Sequence, residues 1–230
     1  MSRLLNMQLS WPAAILLGLR RLFERNFHRF TGKRYFVDTV RTQVDVRFGM
    51  WFWQKILRRN ADTYWVVHKS TRVRGSRFVV IGPETSPGWS VGCDIDGRGG
   101  IYVGDYTQLA PNVRLQSVRD GDIAPPAPDD FSIFIGKYCL LAMNVAVAPD
   151  VRLGDFTIVG ANSVVTDSFP DGYCIVAGNP ARLIKRLDPA ACERWTRARP
   201  YVGYTALDDI GRLRGTAIDA RLFDRIWGAD

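Results

Sequence analysis

Hydrophobic and small residues recur every six positions through the middle of the chain. From Ile135 the sequence reads IGKYCL, LAMNVA, VAPDVR, LGDFTI, VGANSV and VTDSFP, so that each hexad begins with Ile, Leu or Val and continues with Gly, Ala or Thr. The fifth position is mostly small or β-branched. Helices repeat after about 3.6 residues and strands after about 2, so neither element explains this period. It is typical of a parallel β-helix, in which three short strands and three corners form one coil of about 18 residues.

The same spacing continues upstream of the six hexads, with one interruption. Six further aliphatic residues keep the spacing, the first three more loosely: Val67, Val73, Val79, Val103, Leu109 and Leu115. The offset from Leu115 to Ile135 is not a multiple of six, so an insertion leaves the repeat here. Its Pro- and Asp-rich sequence, RDGDIAPPAPDD, predicts an exposed loop. We expect the first residue of each hexad to point inward and to stack on its equivalents in neighbouring coils.

The regions on either side of the repeat show helical patterns instead. The segment SWPAAILLGLRRLFERNFHRF has apolar residues at helical spacing with arginines between them, which predicts a basic amphipathic helix within residues 11–34. Two interpretations stay open: the helix lies on an anionic membrane surface, or it packs on the rest of the protein or on a partner. A second amphipathic segment, GMWFWQKILRR, follows.

The C-terminal pattern predicts two helices, at about residues 189–199 and 207–227. Their apolar residues are expected to cover the open end of the repeat: Trp195, Leu213, Leu222, Phe223 and Ile226. We therefore divide the chain into a basic helical extension (1–64), a repeat domain (65–187) and a C-terminal helical cap (188–230).

Composition and charge narrow the class of protein. The 230 residues are 47% hydrophobic and 23% charged, which is ordinary for a globular chain and excludes a disordered or fibrous one. Residues 1–80 carry 16 Lys and Arg against 4 Asp and Glu, whereas residues 81–230 carry 15 against 19. The basic third indicates contact with something anionic or a solvated basic surface. We expect no nucleic-acid partner, because no recognisable binding module accompanies the charge.

The expected location is the cytoplasm, with peripheral contact at the inner membrane face. The apolar run from Trp11 to Leu19 is too short to span a bilayer and precedes no signal-peptide cleavage pattern. The four cysteines form no CxxC pair and indicate buried thiols in a reducing compartment. His28 and His68 are the two histidines of the sequence, too few for a three-histidine metal site, so we expect no metal.

The stretch from Ile135 to Lys185, ending VGANSVVTDSFPDGYCIVAGNPARLIK, resembles the hexapeptide-repeat acyltransferases. Upstream, IGPETSPGWSVGCDIDGRGGIYVGDYTQLAPNVRL resembles the branch of sugar and polysaccharide O-acetyltransferases. The resemblance covers about residues 65–187. It implies a mainly β fold, a left-handed parallel β-helix with helical extensions, assembled as a homotrimer. It also implies acetyl-coenzyme A as co-substrate, bound between neighbouring subunits, and a saccharide hydroxyl as acceptor.

By similarity, two groups of residues are assigned to the donor. Ala142, Gly160 and Ala161 would line a groove whose small side chains let the pantetheine arm approach the backbone. Arg182 and Lys185 match basic positions near the nucleotide phosphates, where cations are favoured. The alternative is that these are ordinary corner residues and a solvated cap.

The sequence departs from the family at the catalytic position. The family supplies a histidine general base in an Asn-His-Asp type motif, and here that place reads Ser117-Val118-Arg119-Asp120. A protonated arginine cannot serve as that base, but it can hold an anionic group of the acceptor. Asp120 is the remaining candidate base, although a carboxyl in a wet loop is a poor proton acceptor unless burial raises its pKa. Leu140 likewise stands where the family often has Trp beside the acetyl group.

Two interpretations of function therefore remain. The first is an acetyl-coenzyme A-dependent O-acetyltransferase of polysaccharide biosynthesis. The second is a catalytically silent relative that serves as a structural or partner-binding subunit. A γ-type carbonic anhydrase, which shares the prism, is excluded because it needs histidine zinc ligands and the sequence has no histidine after His68. We expect His68 itself to be a hydrogen-bonded structural residue.

Overall fold

The computed structural model describes residues 18, 19, 22–24, 26–29, 31–40, 42, 44–119 and 130–228. Asp120 and most of the predicted loop lie outside the described residues, as do residues 11–17 of the predicted amphipathic helix.

Short strands in three sheets form the centre of the protein. The strands of the repeat region are β1 (Arg72–Arg74), β2 (Val79–Ile81), β3 (Asp94–Asp96), β4 (Ile101–Val103), β5 (Gln108–Leu109), β6 (Arg114–Gln116), β7 (Ile133–Ile135), β8 (Leu140–Leu141), β9 (Ala146–Val147), β10 (Arg152–Leu153), β11 (Thr157–Val159), β12 (Val164–Val165), β13 (Cys174–Gly178) and β14 (Ala181–Arg186). Sheet A has the order β1-β3-β6-β9-β12, sheet B the order β10-β7-β4-β2, and sheet C the order β14-β13-β11-β8-β5. All pairings are parallel except the hairpin β13–β14.

Consecutive strands from β4 to β12 belong in turn to sheets B, C and A. Each strand pairs with the strand three places along the chain, and in the six hexads the paired residues are eighteen apart, as in Leu141 with Val159 and Val147 with Val165. Val103 pairs with Ile135, 32 residues further on, because the insertion lies between β6 and β7 and adds residues to this coil. The predicted mainly β class is therefore confirmed, with parallel sheets built from the six-residue repeat.

The core lies between the three sheets and follows the repeat. The first residue of every hexad is at most 1% exposed, as predicted: Ile135, Leu141, Val147, Leu153, Val159 and Val165. The fifth residue is buried as well: Cys139, Val145, Val151, Thr157 and Ser163. Two positions of each of the first five hexads thus fill the interior, and removing these side chains from water is the main driving force for folding.

The corners explain the remaining positions of the repeat. A Cβ on Gly154 would stand 2.2 Å from the Pro170 carbonyl oxygen, so only glycine fits between successive coils there. The fourth position of five hexads takes a left-handed backbone, with φ between 55° and 64°: Tyr138, Asn144, Asp150, Phe156 and Asn162. Asn and Asp, which hold three of these five positions, are the non-glycine residues that best tolerate that conformation and are the sequence signal for it.

Equivalent corner residues contact each other from coil to coil. At one corner the side-chain amides form a ladder, with Asn112 donating to Asn144 at 3.0 Å and Asn144 donating to Asn162 at 2.9 Å. At another corner four rings stack with centroids 4.9 to 5.3 Å apart: Tyr106, Tyr138, Phe156 and Tyr173. These contacts reinforce the stacking of the coils.

The N-terminal extension is helical in short pieces. Its helices are α1 (Tyr35–Asp38), α2 (Phe48–Trp51) and a π-helix (Phe52–Ile56), and the described residues between 18 and 31 are also helical. Aromatic side chains make its small core, in which Phe36 and Trp51 are buried. Within the described ranges no helix combines the length and apolar character needed to cross a bilayer.

The C-terminal region differs from its prediction. A 3₁₀ turn (Pro189–Ala191) is followed by a hairpin of β15 (Tyr201–Val202) and β16 (Thr205–Ala206), a 3₁₀-helix (Leu207–Leu213) and helix α3 (Ala220–Trp227). The predicted helix at 189–199 is therefore absent. Long-range bonds hold this stretch instead: the Arg197 amide donates to the Tyr106 hydroxyl, and its guanidinium donates to Glu84 at 3.2 Å. Of the residues predicted to cover the repeat, Leu213, Leu222 and Phe223 belong to the main core and Ile226 packs against it. Trp195 is instead 42% exposed.

Candidate functional site

Arg119 lies just beyond β6, at the edge where the chain leaves sheet A for sheet B. Its Nη2 is 3.1 Å from Asp150 Oδ2, and the side chains are 79% and 63% exposed. The Ser132 hydroxyl donates to Asp150 Oδ1 at 3.2 Å and accepts from the Asp150 amide at 3.0 Å. We call Arg119, Ser132 and Asp150 the edge cluster.

The side chains of the edge cluster are suited to holding polar or charged groups rather than to abstracting a proton. An exposed ion pair contributes little to stability, so folding does not require Arg119 and Asp150 to be charged. A guanidinium can bind a carboxylate or phosphate with two parallel hydrogen bonds, and a carboxylate accepts hydrogen bonds from sugar hydroxyls. Arg119 cannot act as the base. Asp150 was not singled out from the sequence, although it occupies the left-handed fourth position of VAPDVR.

A buried carboxylate stands next to the segment that carries Arg119. Asp96 is 1% exposed and accepts from Arg98 Nη2 at 2.8 Å and from Arg74 Nε at 3.1 Å. Burial acts to raise the pKa of Asp96, but the hydrogen bonds from Arg98 and the charge of Arg74 outweigh it and hold the pKa below its ordinary value. Asp96 is therefore an anion at neutral pH with its acceptor sites occupied, which suits a structural role.

Ser117, two residues before Arg119, is bonded to the backbone of Asp96 and Gly99. Its hydroxyl donates to the Asp96 carbonyl oxygen at 2.5 Å and accepts from the Gly99 amide at 2.8 Å. Because Ser117 is itself buried, the backbone that leads into Arg119 is fixed at this point.

The residues assigned to the donor groove lie at a different corner, between sheets C and A. The amide of Ala142 donates to the Val159 carbonyl at 3.0 Å and that of Gly160 donates to the Val176 carbonyl at 2.8 Å, which places Ala142 and Gly160 in neighbouring coils. A Cβ on Gly160 would stand 2.9 Å from the Cβ of Ala177. Ala161 beside it is exposed. This corner is lined by small residues, as the predicted groove requires.

The two basic residues assigned to the nucleotide both lie on β14, the outermost strand of sheet C. The Arg182 side chain is 62% exposed and pairs with Asp167. Lys185 is exposed and stands opposite Ile175 of β13. Arg182 and Lys185 thus present positive charge on the same face of the hairpin region, open to solvent.

Sheet A separates the two parts of the candidate site. Arg119 and Asp150 lie at its edge toward sheet B, whereas Ala142 and Gly160 lie at its edge toward sheet C. The described residues of one chain therefore do not bring the family's base position and the donor corner together. Asp120, the other candidate, lies outside the described residues.

Leu140 lies on the outward face of sheet C, between two cavities. A cavity of about 290 Å³ is lined on one side by Trp89, Gln108 and Leu140. A second of about 190 Å³ is lined by Tyr138, Leu140 and Trp195, among others. The family resemblance implies that Leu140 lies beside an acetyl group. The cavities have no signal in the local sequence, because Trp89 and Trp195 come from distant parts of the chain.

His68 is hydrogen-bonded, as predicted. Its Nδ1 accepts from the Ser70 amide at 3.2 Å and lies 2.7 Å from the Ser70 hydroxyl oxygen. Partial burial, together with the charge of Lys69, lowers the pKa of His68. Among the described residues, no group of three His, Cys, Asp or Glu side chains is arranged to hold a metal ion.

Comparison with known proteins identifies the repeat. Residues 132–167 match the family model of the bacterial transferase hexapeptide (six repeats). Over 147 residues the chain is 29% identical to a protein named as the lipopolysaccharide biosynthesis O-acetyl transferase WbbJ of Escherichia coli K12. The aligned region is 50% of this chain and 74% of that protein. Over 53 residues it is 49% identical to a protein named as the colanic acid biosynthesis acetyltransferase WcaF of the same organism, covering 23% and 29%.

Among solved structures, a maltose O-acetyltransferase from Clostridium difficile 630 is similar at 20% identity and a TM-score of 0.45, covering 75% of this chain and 89% of that one. The six-residue repeat, the family model and the curated relatives agree with the family predicted from the sequence. The repeat of this chain is therefore similar to that of the bacterial hexapeptide transferases, including curated O-acetyltransferases.

Proposed function

We propose that the protein is an acetyl-coenzyme A-dependent O-acetyltransferase that acts on a saccharide hydroxyl in polysaccharide biosynthesis. The observation that carries this proposal is the similarity to WbbJ, which extends over half of this chain and three quarters of that protein. The parallel pairing of strands β4 to β12, which enter the three sheets in turn, supports a left-handed β-helix as the scaffold.

The proposed donor site is the small-residue corner of Ala142, Gly160 and Ala161. Its coil-to-coil stacking gives a straight, shallow surface along which a pantetheine arm can lie. Arg182 and Lys185 would attract the nucleotide phosphates from the exposed face of β14.

A homotrimer would complete the site. Within one chain sheet A lies between the donor corner and the edge cluster, so one subunit's donor corner needs the edge cluster of a neighbour. The subunits of a cyclic assembly meet in this way, with two different surfaces in contact.

In the proposed reaction the acceptor hydroxyl oxygen attacks the thioester carbonyl carbon. A base takes the hydroxyl proton, the carbon–sulfur bond breaks as the acetyl ester forms, and the departing thiolate of coenzyme A receives that proton from the base. Arg119 and Asp150 would orient the acceptor, Arg119 through an anionic group such as a carboxylate or phosphate. Asp120 is the proposed base.

The proposed location is the inner face of the membrane, with residues 11–34 as one point of contact. In the described part of that segment Leu19, Leu22 and Phe23 are exposed, while Phe27 packs on Phe36 and Phe48. One side of the segment is therefore held by the protein and the other faces solvent.

The test is a coenzyme A release assay with neutral and anionic sugars, combined with mass spectrometry of the acceptor. We expect a mass gain of one acetyl group in the presence of an anionic acceptor. Turnover lost in Asp120→Asn and weakened in Arg119→Ala would support the assigned roles. Turnover unchanged in both variants would show that the active site lies elsewhere.

The alternative is a catalytically silent relative that binds a ligand or a partner subunit. One observation favours it: the sequence has no histidine after His68, so the family's base is absent. A positioned base contributes about 10²–10⁴-fold in rate. Acetyl-coenzyme A binding by calorimetry without release of coenzyme A for any acceptor would support this alternative.

A further inference from the structure

The segment that follows helix α2 exposes four large apolar side chains on one side. Phe52 and Trp53 are 38% and 40% exposed, and Ile56 and Leu57 are 54% and 47% exposed. We call these four residues the apolar face. Isolated exposed apolar residues are ordinary, but four within six positions form a patch that marks an interaction surface.

The backbone keeps the apolar face turned outward. The residues form a π-helix, and Gln54 within it is buried. Its side-chain amide donates to the Trp65 carbonyl at 2.8 Å, while its Oε1 accepts from the Val67 amide at 3.2 Å and from the Tyr204 hydroxyl at 2.8 Å. Because these bonds occupy the inner side, the apolar face cannot rotate into the core without leaving buried polar groups unpaired.

The apolar face continues onto the N-terminal segment. The rings of Phe48 and Phe52 lie 6.1 Å apart, and the ring of Phe23, which is 49% exposed, lies 4.8 Å from that of Phe48. Phe23 and Phe52 thus extend one aromatic surface on either side of Phe48. The patch is assembled from segments far apart in the sequence.

Basic side chains border the apolar face. The Nζ of Lys69 lies 5.1 Å from the centre of the Trp53 ring, and Arg59 Nη2 donates to the Lys69 carbonyl at 3.2 Å. Arg58 and Arg59 directly follow Leu57 and are exposed. Residues 44–72 contain six Lys and Arg against the two carboxylates of Asp45 and Asp62.

We propose that the apolar face docks the protein on an anionic lipid bilayer. Trp, Phe, Ile and Leu beside Lys and Arg are the combination that inserts at the headgroup boundary, where apolar side chains leave water and cations meet anionic lipids. The same face of a second copy would bring basic borders against each other, which disfavours a self-associated patch. This inference does not depend on the acetyl-transfer reaction.

The position of the apolar face relates it to the candidate site. Asn60 follows it, and the Asn60 side chain donates to the Thr71 carbonyl at 2.9 Å and accepts from the Val73 amide at 3.1 Å. Val73 belongs to β1, the first strand of sheet A. Arg119 and Asp150 of the edge cluster follow β6 and β9, two later strands of the same sheet. Docking here would place the first edge of sheet A next to the lipid surface.

The test is co-sedimentation of the full chain with phosphatidylcholine vesicles containing 0 or about 30% phosphatidylglycerol, at low and high salt. We expect binding that requires the anionic lipid and weakens with salt. Ile56→Ser with Leu57→Ser should lower the partition coefficient at least about tenfold, because both half-exposed side chains lose apolar area. The matched control is Ile184→Ser with Val91→Ser, two comparably exposed residues elsewhere, which should bind like the wild type.

Two further variants separate the contributions of neighbouring elements. Arg58→Gln with Lys69→Gln should weaken binding to anionic vesicles several-fold and reduce its salt dependence, whereas Arg212→Gln should not. Leu19→Ser with Leu22→Ser probes the N-terminal segment. If that pair removes all binding while the Ile56 and Leu57 variant keeps it, the proposal is wrong.

Other outcomes would also overturn the proposal. If the wild-type protein does not bind anionic vesicles at low salt, the apolar face does not dock on a lipid surface. A patch variant that changes the oligomeric state in sedimentation velocity, with no vesicle binding by the wild type, would show that the face is an interface between copies. Far-ultraviolet circular dichroism of each variant establishes that it is folded, so that a loss of binding can be assigned to the surface.

Discussion

Arg119 and Asp150 should have opposite effects on the binding of an anionic acceptor. A charge-assisted hydrogen bond contributes about 1.5–3 kcal/mol, but the 79% exposure of Arg119 lowers the expected value to about 1–1.4 kcal/mol. Arg119→Ala should therefore weaken binding of an anionic sugar roughly five- to tenfold. Asp150→Asn removes the carboxylate that competes for the same guanidinium, so this variant should bind the anionic sugar about two- to fivefold more tightly.

The measurement is the dissociation constant for a uronic acid and for its uncharged parent sugar, by calorimetry at low and high salt. Affinity for the uncharged sugar should change little in either variant, and salt should reduce the differences for the uronic acid. Arg152→Ala is the control, because Arg152 is an exposed arginine near the same edge that pairs with Asp130 at 3.5 Å. Weaker binding of the uronic acid by Asp150→Asn, or equal losses for both sugars, would refute the assignment of Arg119 to an anionic group.

Three further predictions concern stability, all measured by urea unfolding at one protein concentration because assembly would couple to folding. Leu153→Asp should prevent folding of the repeat, since Leu153 is fully buried and an unpaired charge there is very costly; a folded variant with native circular dichroism would contradict the inward stacking. Arg197→Met should lower the free energy of unfolding by about 2–4 kcal/mol, because it leaves the buried Glu84 carboxylate without its cation. The loss should be smaller in a Glu84→Gln background. Equal losses in both backgrounds would mean that Arg197 and Glu84 are not coupled. Because the pKa of Asp96 is lowered in the folded protein, its contribution to the free energy of unfolding is complete above the unfolded pKa of about 3.9 and is lost as the pH falls through the folded pKa. Asp96→Asn should therefore make stability depend less on pH below about pH 4. An unchanged pH dependence in this range would contradict the linkage.

The fold was largely determined by short-range information in the sequence. In residues 135–170 every hexad repeats the same choice of an aliphatic residue followed by a small one, and the structure buries the first side chain each time. A one-dimensional stack of similar coils makes this possible, because each residue meets its own equivalent in the next coil and needs no distant partner. The absence of a histidine at position 119 is likewise a fact of the sequence that no folding can change.

Tertiary structure decided which residues share an edge and how the ends of the chain are held. Asp150 reaches Arg119 across 31 positions, because the corner after β9 stacks on the one after β6. The stretch at 189–199 has the pattern of a helix but is held by Arg197, which reaches back 113 residues to Glu84. Periodicity reports only which side of an element is apolar, so it could not show that such a distant carboxylate would be buried and need a cation. The apolar face was visible as a pattern, but only the buried amide of Gln54 determined that the face points outward.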